Sequence, residues 1–178
     1  DELPENRTFT GETDYTNASK MIEPLLGSYV DFNETQWEDF PLIAVRGDDV
    51  NAGGLGDQQD YTETDKYSYN KDYWMYNFVW QNYYADIFNA HSAIEQITLY
   101  KEAGNDAAKA DQYMAEAKVL LTWKLFNISR LWGNVFIPVS SDPSTLYTTP
   151  LSTKDEVMQY ISDLMDEAIP NLPAVRPN

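Results

Sequence analysis

The apolar positions of this chain recur at intervals of three and four, the spacing of one face of an α-helix, and not at the intervals of two that mark a half-buried strand. The first run holds Met21, Ile22, Leu25, Leu26, Tyr29 and Val30. Thr16 or Asn17 can cap it. Pro24 marks either the start of regular helix or a kink, because proline has no amide hydrogen to give to an interior turn. A longer run over 71–103 carries Trp74, Phe78, Trp80, Tyr84, Ile87, Phe88, His91, Ile94 and Ile97 on one broad face and stops at Gly104-Asn105. At 1.5 Å per residue such a helix spans roughly 45–50 Å, which suits a helical array better than a compact sandwich. A third run over 106–132 places Tyr113, Ala117, Leu120, Leu121, Leu125, Ile128, Leu131 and Trp132 together and ends at Gly133. The stretch 134–151, with Pro138, Pro143 and Pro150, reads as extended and turn-rich. Thr153 with Glu156 then has the spacing of a capping box, opening a last helix with Val157, Ile161, Leu164, Met165 and Ala168.

Between the first two runs, residues 33–70 hold Pro41, Gly47, Gly53, Gly54, Gly56 and many aspartates, which predicts a long loop insertion. The order is helix, long loop, helix, helix, loop, helix, with no alternation of strands and helices that would signal a parallel sheet. The expectation is an all-α fold of antiparallel helix pairs with long loops, and one domain over residues 1–178, a length ordinary for one domain. No exact internal repeat is present, and the tetratricopeptide consensus is not matched closely.

Composition narrows the chemistry. The formal charge is −17, from 29 acidic and 12 basic residues, which opposes nucleic acid and anionic lipid as partners and leaves neutral or basic ones. No apolar run approaches the ~20 residues of a membrane-spanning helix. Cysteine is absent and histidine occurs once, so disulfides, thiolate sites and any chemistry needing two histidines are excluded within the chain. No phosphate loop, zinc spacing or Ser-His-Asp order appears. No cofactor and no catalytic residue is expected. Thirteen tyrosines and five tryptophans stand out, because their rings join an apolar face to a polar edge and suit interfaces and sugar stacking. The series Tyr67, Tyr69, Tyr73, Tyr76, Tyr83, Tyr84 is either a sugar platform or divides between core and partner interface. His91, mid-helix among apolar neighbours, reads as a satisfied core or interface histidine.

In the loop, Arg46-Gly47-Asp48-Asp49 offers a guanidinium and carboxylates for bidentate bonds to sugar hydroxyls, or simply an Asx turn in a solvated charge cluster. A cation site from Asp48, Asp49, Asp57 and Asp60 lacks the spacing of an EF-hand loop, and no metal is expected. Adjacent Asp48 and Asp49 are poorly placed to face each other across a glycosidic bond.

Four stretches carry a resemblance. Trp80-x-x-x-Tyr84-x-x-Ile87 is one. The second is Ala115-Glu116-Ala117-Lys118-Val119-Leu120, running on to Arg130-Leu131-Trp132-Gly133-Asn134-Val135. The third is Leu151-Ser152-Thr153-Lys154-Asp155-Glu156-Val157 with Ile161, Asp163, Leu164, Ala168 and Leu172-Pro173. The opening Leu3-Pro4-Glu5-Asn6-Arg7-Thr8 is the fourth. In this order they resemble the N-terminal portion of the SusD/RagB family of outer-membrane nutrient-binding lipoproteins. His91 stands where that family usually has Asn, and Leu121-Thr122 where it has Arg-Ala. The resemblance implies tetratricopeptide-like helix pairs and a lipoprotein on the outer face of a Bacteroidetes outer membrane. Its membrane attachment would be an N-terminal lipid anchor absent from this chain. It also implies a SusC-like TonB-dependent transporter as partner and an oligosaccharide, or for some members a peptide, as ligand. By that resemblance Trp74 and Asn77, one helical turn apart and so on one face, are candidates for ring stacking and hydroxyl bonding; Tyr73 beside them and Arg46, Asp48 and Asp49 in the loop join the candidate set by their own chemistry. The alternative is a helical scaffold that docks the transporter, with ligand recognition in a further C-terminal part. A helical array cut short exposes a face that its next repeat would cover, so self-association is expected.

Overall fold

The computed structural model describes residues 13–53, 59–68, 70 and 72–175. Its helices are α1 (Glu23–Ala44), α2 (Gln59–Asp65), α3 (Trp74–Glu102), α4 (Ala107–Trp132) and α5 (Lys154–Ala168). Short 3-10 turns lie at Ala18–Lys20, Pro143–Tyr147 and Ile169–Asn171. The architecture is all-α, as the three- and four-residue spacing predicted.

Local chemistry sets the boundaries. Asn17 accepts from the Ser19 amide at the entrance, and Pro24 occupies the first turn of α1, where a missing amide hydrogen costs nothing. Asp106 caps α4 by accepting from the Lys109 amide. Gly133, at φ 80°, turns the chain out of α4 in a conformation that L side chains avoid. Thr153 and Glu156 form the reciprocal capping box of α5.

One expectation needs correction. The sequence predicts a loop over 33–70, but α1 continues to Ala44 and residues 59–65 form α2. Leu42 and Val45 are buried in the same cluster as Met75, Val79 and Tyr83, so tertiary burial of this end of α1 outweighs the donor lost at Pro41. Asp57, Tyr69 and the Leu3–Thr8 stretch lie outside the described residues.

Cross-helix contacts fix the directions. Lys101 meets Asp111, Thr98 meets Met114 and Asp86 meets Lys124, so numbers fall along α3 as they rise along α4 and the two are antiparallel. Lys118 with Glu167 and Thr122 with Met165 show the same for α4 and α5. Buried Ala90, Ala93, Ala110 and Ala117 let the helix backbones approach. One apolar cluster gathers Met21, Leu25, Ile97 and Tyr100 near the α3–α4 turn. The other gathers Leu42, Met75, Tyr83, Leu125, Val135 and Val157 toward the opposite end.

The segment after α4 is pinned rather than loose. Val135 and Ser152 exchange backbone bonds of 3.1 and 2.8 Å. The Tyr84 hydroxyl accepts from the Phe136 amide at 2.8 Å and donates to the Phe136 carbonyl at 3.1 Å. This segment therefore lies against α3.

Candidate functional site

The six candidate residues divide between two surroundings. Arg46, Asp48 and Asp49 follow α1 directly, and the two aspartates are exposed. A Cβ on Gly47 would stand 2.8 Å from Asp49 Oδ1, a contact that rotation of the exposed carboxylate relieves. The turn is tied to α2: Tyr67 Oη donates to the Arg46 carbonyl at 2.6 Å, and Asp65 accepts from the Ala52 amide. Tyr67 takes a left-handed conformation, φ 55°, as the chain leaves α2. Thr64, buried on α2, shares a 2.8 Å bond with the Tyr76 hydroxyl, and Tyr76 stacks on Tyr73 with centroids 6.0 Å apart. Partial burial first, then the carboxylates of Glu63 and Asp60, push the Tyr73 hydroxyl above its usual range, so it stays a neutral donor.

Trp74 belongs to the other surroundings. Helical geometry sets it roughly 160° around α3 from Tyr76, on the outer side. It is 48% exposed and makes an edge-to-face pair with Phe78, centroids 6.1 Å apart. Asn77 is exposed one turn from Trp74. The structure thus brings Tyr73 beside α2, to which the Arg46 turn is separately tied, and sets Trp74 with Phe78 and Asn77 on an open face.

That face leads into a feature that sequence reasoning missed. A groove of about 560 Å³ runs between α3 and the 140–147 segment. Trp80, Tyr84 and Phe88 line it from α3, with ring centroids 4.9 and 6.5 Å apart, and Ser141, Pro143 and Leu146 line it opposite. The spacing Trp80, Tyr84, Phe88 is readable as one face, but nothing local announces which segment packs beside it. His91 is half-buried, and its Nε2 donates to the Pro138 carbonyl at 3.0 Å. Burial is the main cause that holds its pKa below the ordinary value. The histidine is satisfied within the fold, as read from the sequence. Among the described residues no three His, Cys, Asp or Glu side chains converge as metal ligands.

Residues 11–177 match the model of a SusD-like family described as starch-binding and associating with the outer membrane. The chain belongs to that SusD-like family. Among solved structures it is similar to a laminarin-binding SusD-like protein, with TM-score 0.78 and 21% identity over 92% of this chain. It spans 36% of that protein's length, and at this identity the likeness is one of fold. No curated protein sequence matches. Among the described residues no helix is long and apolar enough to cross a membrane.

Proposed function

We propose that this chain serves non-catalytic capture of a glycan at the outer face of an outer membrane and its delivery to a SusC-like TonB-dependent transporter. The observation that carries this is the exposed Trp74–Phe78 pair with Asn77 beside it, in a chain of a family described as starch-binding. An indole face packs on the C–H face of a sugar ring, and an amide answers paired hydroxyls. Arg46, Asp48 and Asp49, in the turn tied to α2, and the neutral Tyr73 hydroxyl beside α2 would add hydroxyl bonds. The reading invokes no reaction. The one histidine already serves the Pro138 carbonyl, and adjacent residues such as Asp48 and Asp49 are poorly placed to flank a glycosidic bond.

Affinity electrophoresis against neutral polysaccharides, starch and laminarin among them, tests it. Retardation by one glycan, abolished by Trp74→Ala, is expected. Equal retardation of both chains would remove Trp74 from the site.

A second reading, the helical scaffold that docks the transporter, is favoured by a different observation. Leu26 and Val30 on α1 and Trp123 and Phe126 on α4 are exposed. Contacts of Tyr29 with Glu116 and of Phe32 with Trp123 join the two helices there. Loss of transporter association on Trp123→Ser, with glycan retardation intact, would assign this face to the partner.

A further inference from the structure

We propose that the groove between α3 and the 140–147 segment is a second sugar-contacting subsite, so that the ligand is an extended neutral oligosaccharide lying along α3 rather than a single ring held at its first turn. This rests on the glycan reading above and adds where on the molecule the chain lies.

The helix supplies the continuity. Trp74, Phe78, Gln81, Ala85 and Ser92 recur at intervals of three, four and seven, so they share one side of α3. Trp74 and Phe78 stand at one end of this strip, while Gln81, Ala85 and Ser92 line the groove at the other. From Trp74 to Ser92 is roughly 27 Å along the axis, a span that only an oligomer covers.

The groove's opposite wall is already built. Glu95 accepts from the Ser141 amide at 2.9 Å and from its hydroxyl at 2.5 Å, which ties the segment to α3. Asp142 caps the following turn by accepting from the Ser144 amide, and Thr149 Oγ1 closes it on the Thr145 carbonyl. Leu146 packs on the main apolar cluster, while its neighbour Tyr147 is 92% exposed. The turn that walls the groove is thus built before a ligand arrives, so binding there carries little ordering cost, and Tyr147 is an exposed ring on that same turn.

The lining selects the ligand class. The half-buried Trp80 and Phe88 rings offer apolar surface on either side of the buried Tyr84, and Gln81, Asn89 and Ser92 offer amides and a hydroxyl. No lysine or arginine is among the lining residues, and the carboxylates of Glu95 and Asp31 sit at the edge, bonded to Ser141 and Asn89. A polyanion is disfavoured there, and a purely apolar ligand would cover the exposed Gln81 amide without answering it. A neutral polyhydroxyl chain with apolar ring faces answers both.

The test is calorimetric titration of the whole chain with neutral oligosaccharides of increasing length, prepared from laminarin, starch and whichever other polysaccharide retards it. Affinity is expected to rise with length. Ala85→Arg, a large side chain at an exposed groove position, should weaken the longest oligomers at least about tenfold and leave the shortest unchanged. Tyr147→Ala should weaken the longest to a smaller extent, and Trp74→Ala should weaken all lengths. Both groove positions are exposed, and matching circular dichroism melts confirm that the variants fold. If neither groove variant alters binding of the longest oligomer while Trp74→Ala abolishes it, the subsite is overturned and the glycan reading stands. If the unsubstituted chain binds no polysaccharide of the panel and no oligomer of any length, both fall.

Discussion

Lys124 Nζ lies 2.9 Å from Asp86 Oδ2 between α3 and α4, with the lysine side chain 1% and the aspartate 8% exposed. The ammonium also sits over the rings of Phe32, at 4.7 Å, and Tyr83, at 4.9 Å, and donates to the Phe32 carbonyl at 3.5 Å. One buried cation therefore ties α1, α3 and α4 together. Desolvating two ions costs about as much as their attraction returns, so the pair adds little stability, but removal of one partner strands the other. Lys124→Met alone and Asp86→Leu alone should each cost about 3–5 kcal/mol by urea unfolding. The double variant should recover most of that loss. Additive losses in the double variant would show that the two residues act separately.

Tyr84 carries a second coupling, between α3 and the segment that walls the groove. Its hydroxyl stands in for a neighbouring strand, serving both the amide and the carbonyl of Phe136. Burial pushes its pKa well above the ordinary tyrosine value, so the hydroxyl keeps its proton. Tyr84→Phe preserves the ring contacts with Trp80 and Phe88 and leaves two backbone groups unserved. The expected cost is about 1–3 kcal/mol, with faster hydrogen exchange at Phe136. Unchanged exchange would mean that solvent already satisfies that amide.

His91 gives the fold a pH dependence. Burial is the largest effect and lowers its pKa below 6.5, although the Pro138 carbonyl and Glu95 oppose it. The unfolded chain then takes up a proton at higher pH than the folded one, so stability from this site is complete above the ordinary value and is lost as pH falls through it. Unfolding of the parent and of His91→Gln by urea, from about pH 8 down to about pH 5.5, should show the parent's advantage shrinking with acidity. Both proteins share the carboxylates, so their titration cancels in the difference. A widening gap would mean that the imidazolium is the favoured form, held by Glu95.

What the chain discloses by itself is what depends on spacing. α3, α4 and α5 are readable because their apolar stripes persist for several turns, and the Thr153 capping box because its partners sit three residues apart. The C-terminal half of α1 was hidden. Pro41 and the nearby glycines argue locally for a loop, and only burial of Leu42 and Val45 against α3 decides otherwise. The buried pair left a faint trace. Asp86 falls among Tyr83, Ile87 and Ala90, and Lys124 among Leu121, Leu125 and Ile128, so each charge interrupts an apolar stripe at a position that has to face inward. Of the candidate site, Trp74 and Asn77 share a face by helical arithmetic. The separation of Trp74 from Tyr73 follows from where α2 docks, and the groove from where residues 140–147 return, and both are long-range pairings that no local window contains.

The outer faces of α1 and α4 carry the last prediction. Trp123 is 53% exposed, Phe126 37%, Leu26 50% and Val30 57%. Arg130 covers one face of Phe126 at 5.3 Å, and Phe32 meets Trp123 at 6.5 Å, yet much of these side chains still meets water. Large apolar side chains exposed together on neighbouring helices mark an interaction site or drive association. The strong net negative charge of −17 opposes that association at low ionic strength. Added salt screens the repulsion, with a Debye length of about 10 Å at 0.1 M falling to about 3 Å at 1 M. Multi-angle light scattering should therefore find the chain monomeric in dilute buffer and increasingly associated as salt and protein concentration rise. Val30→Ser with Trp123→Ser should remove the effect without altering the fold, since both side chains are largely exposed. A clean monomer at high salt and high concentration would show that this face has no affinity for a second copy and leave it to a different partner.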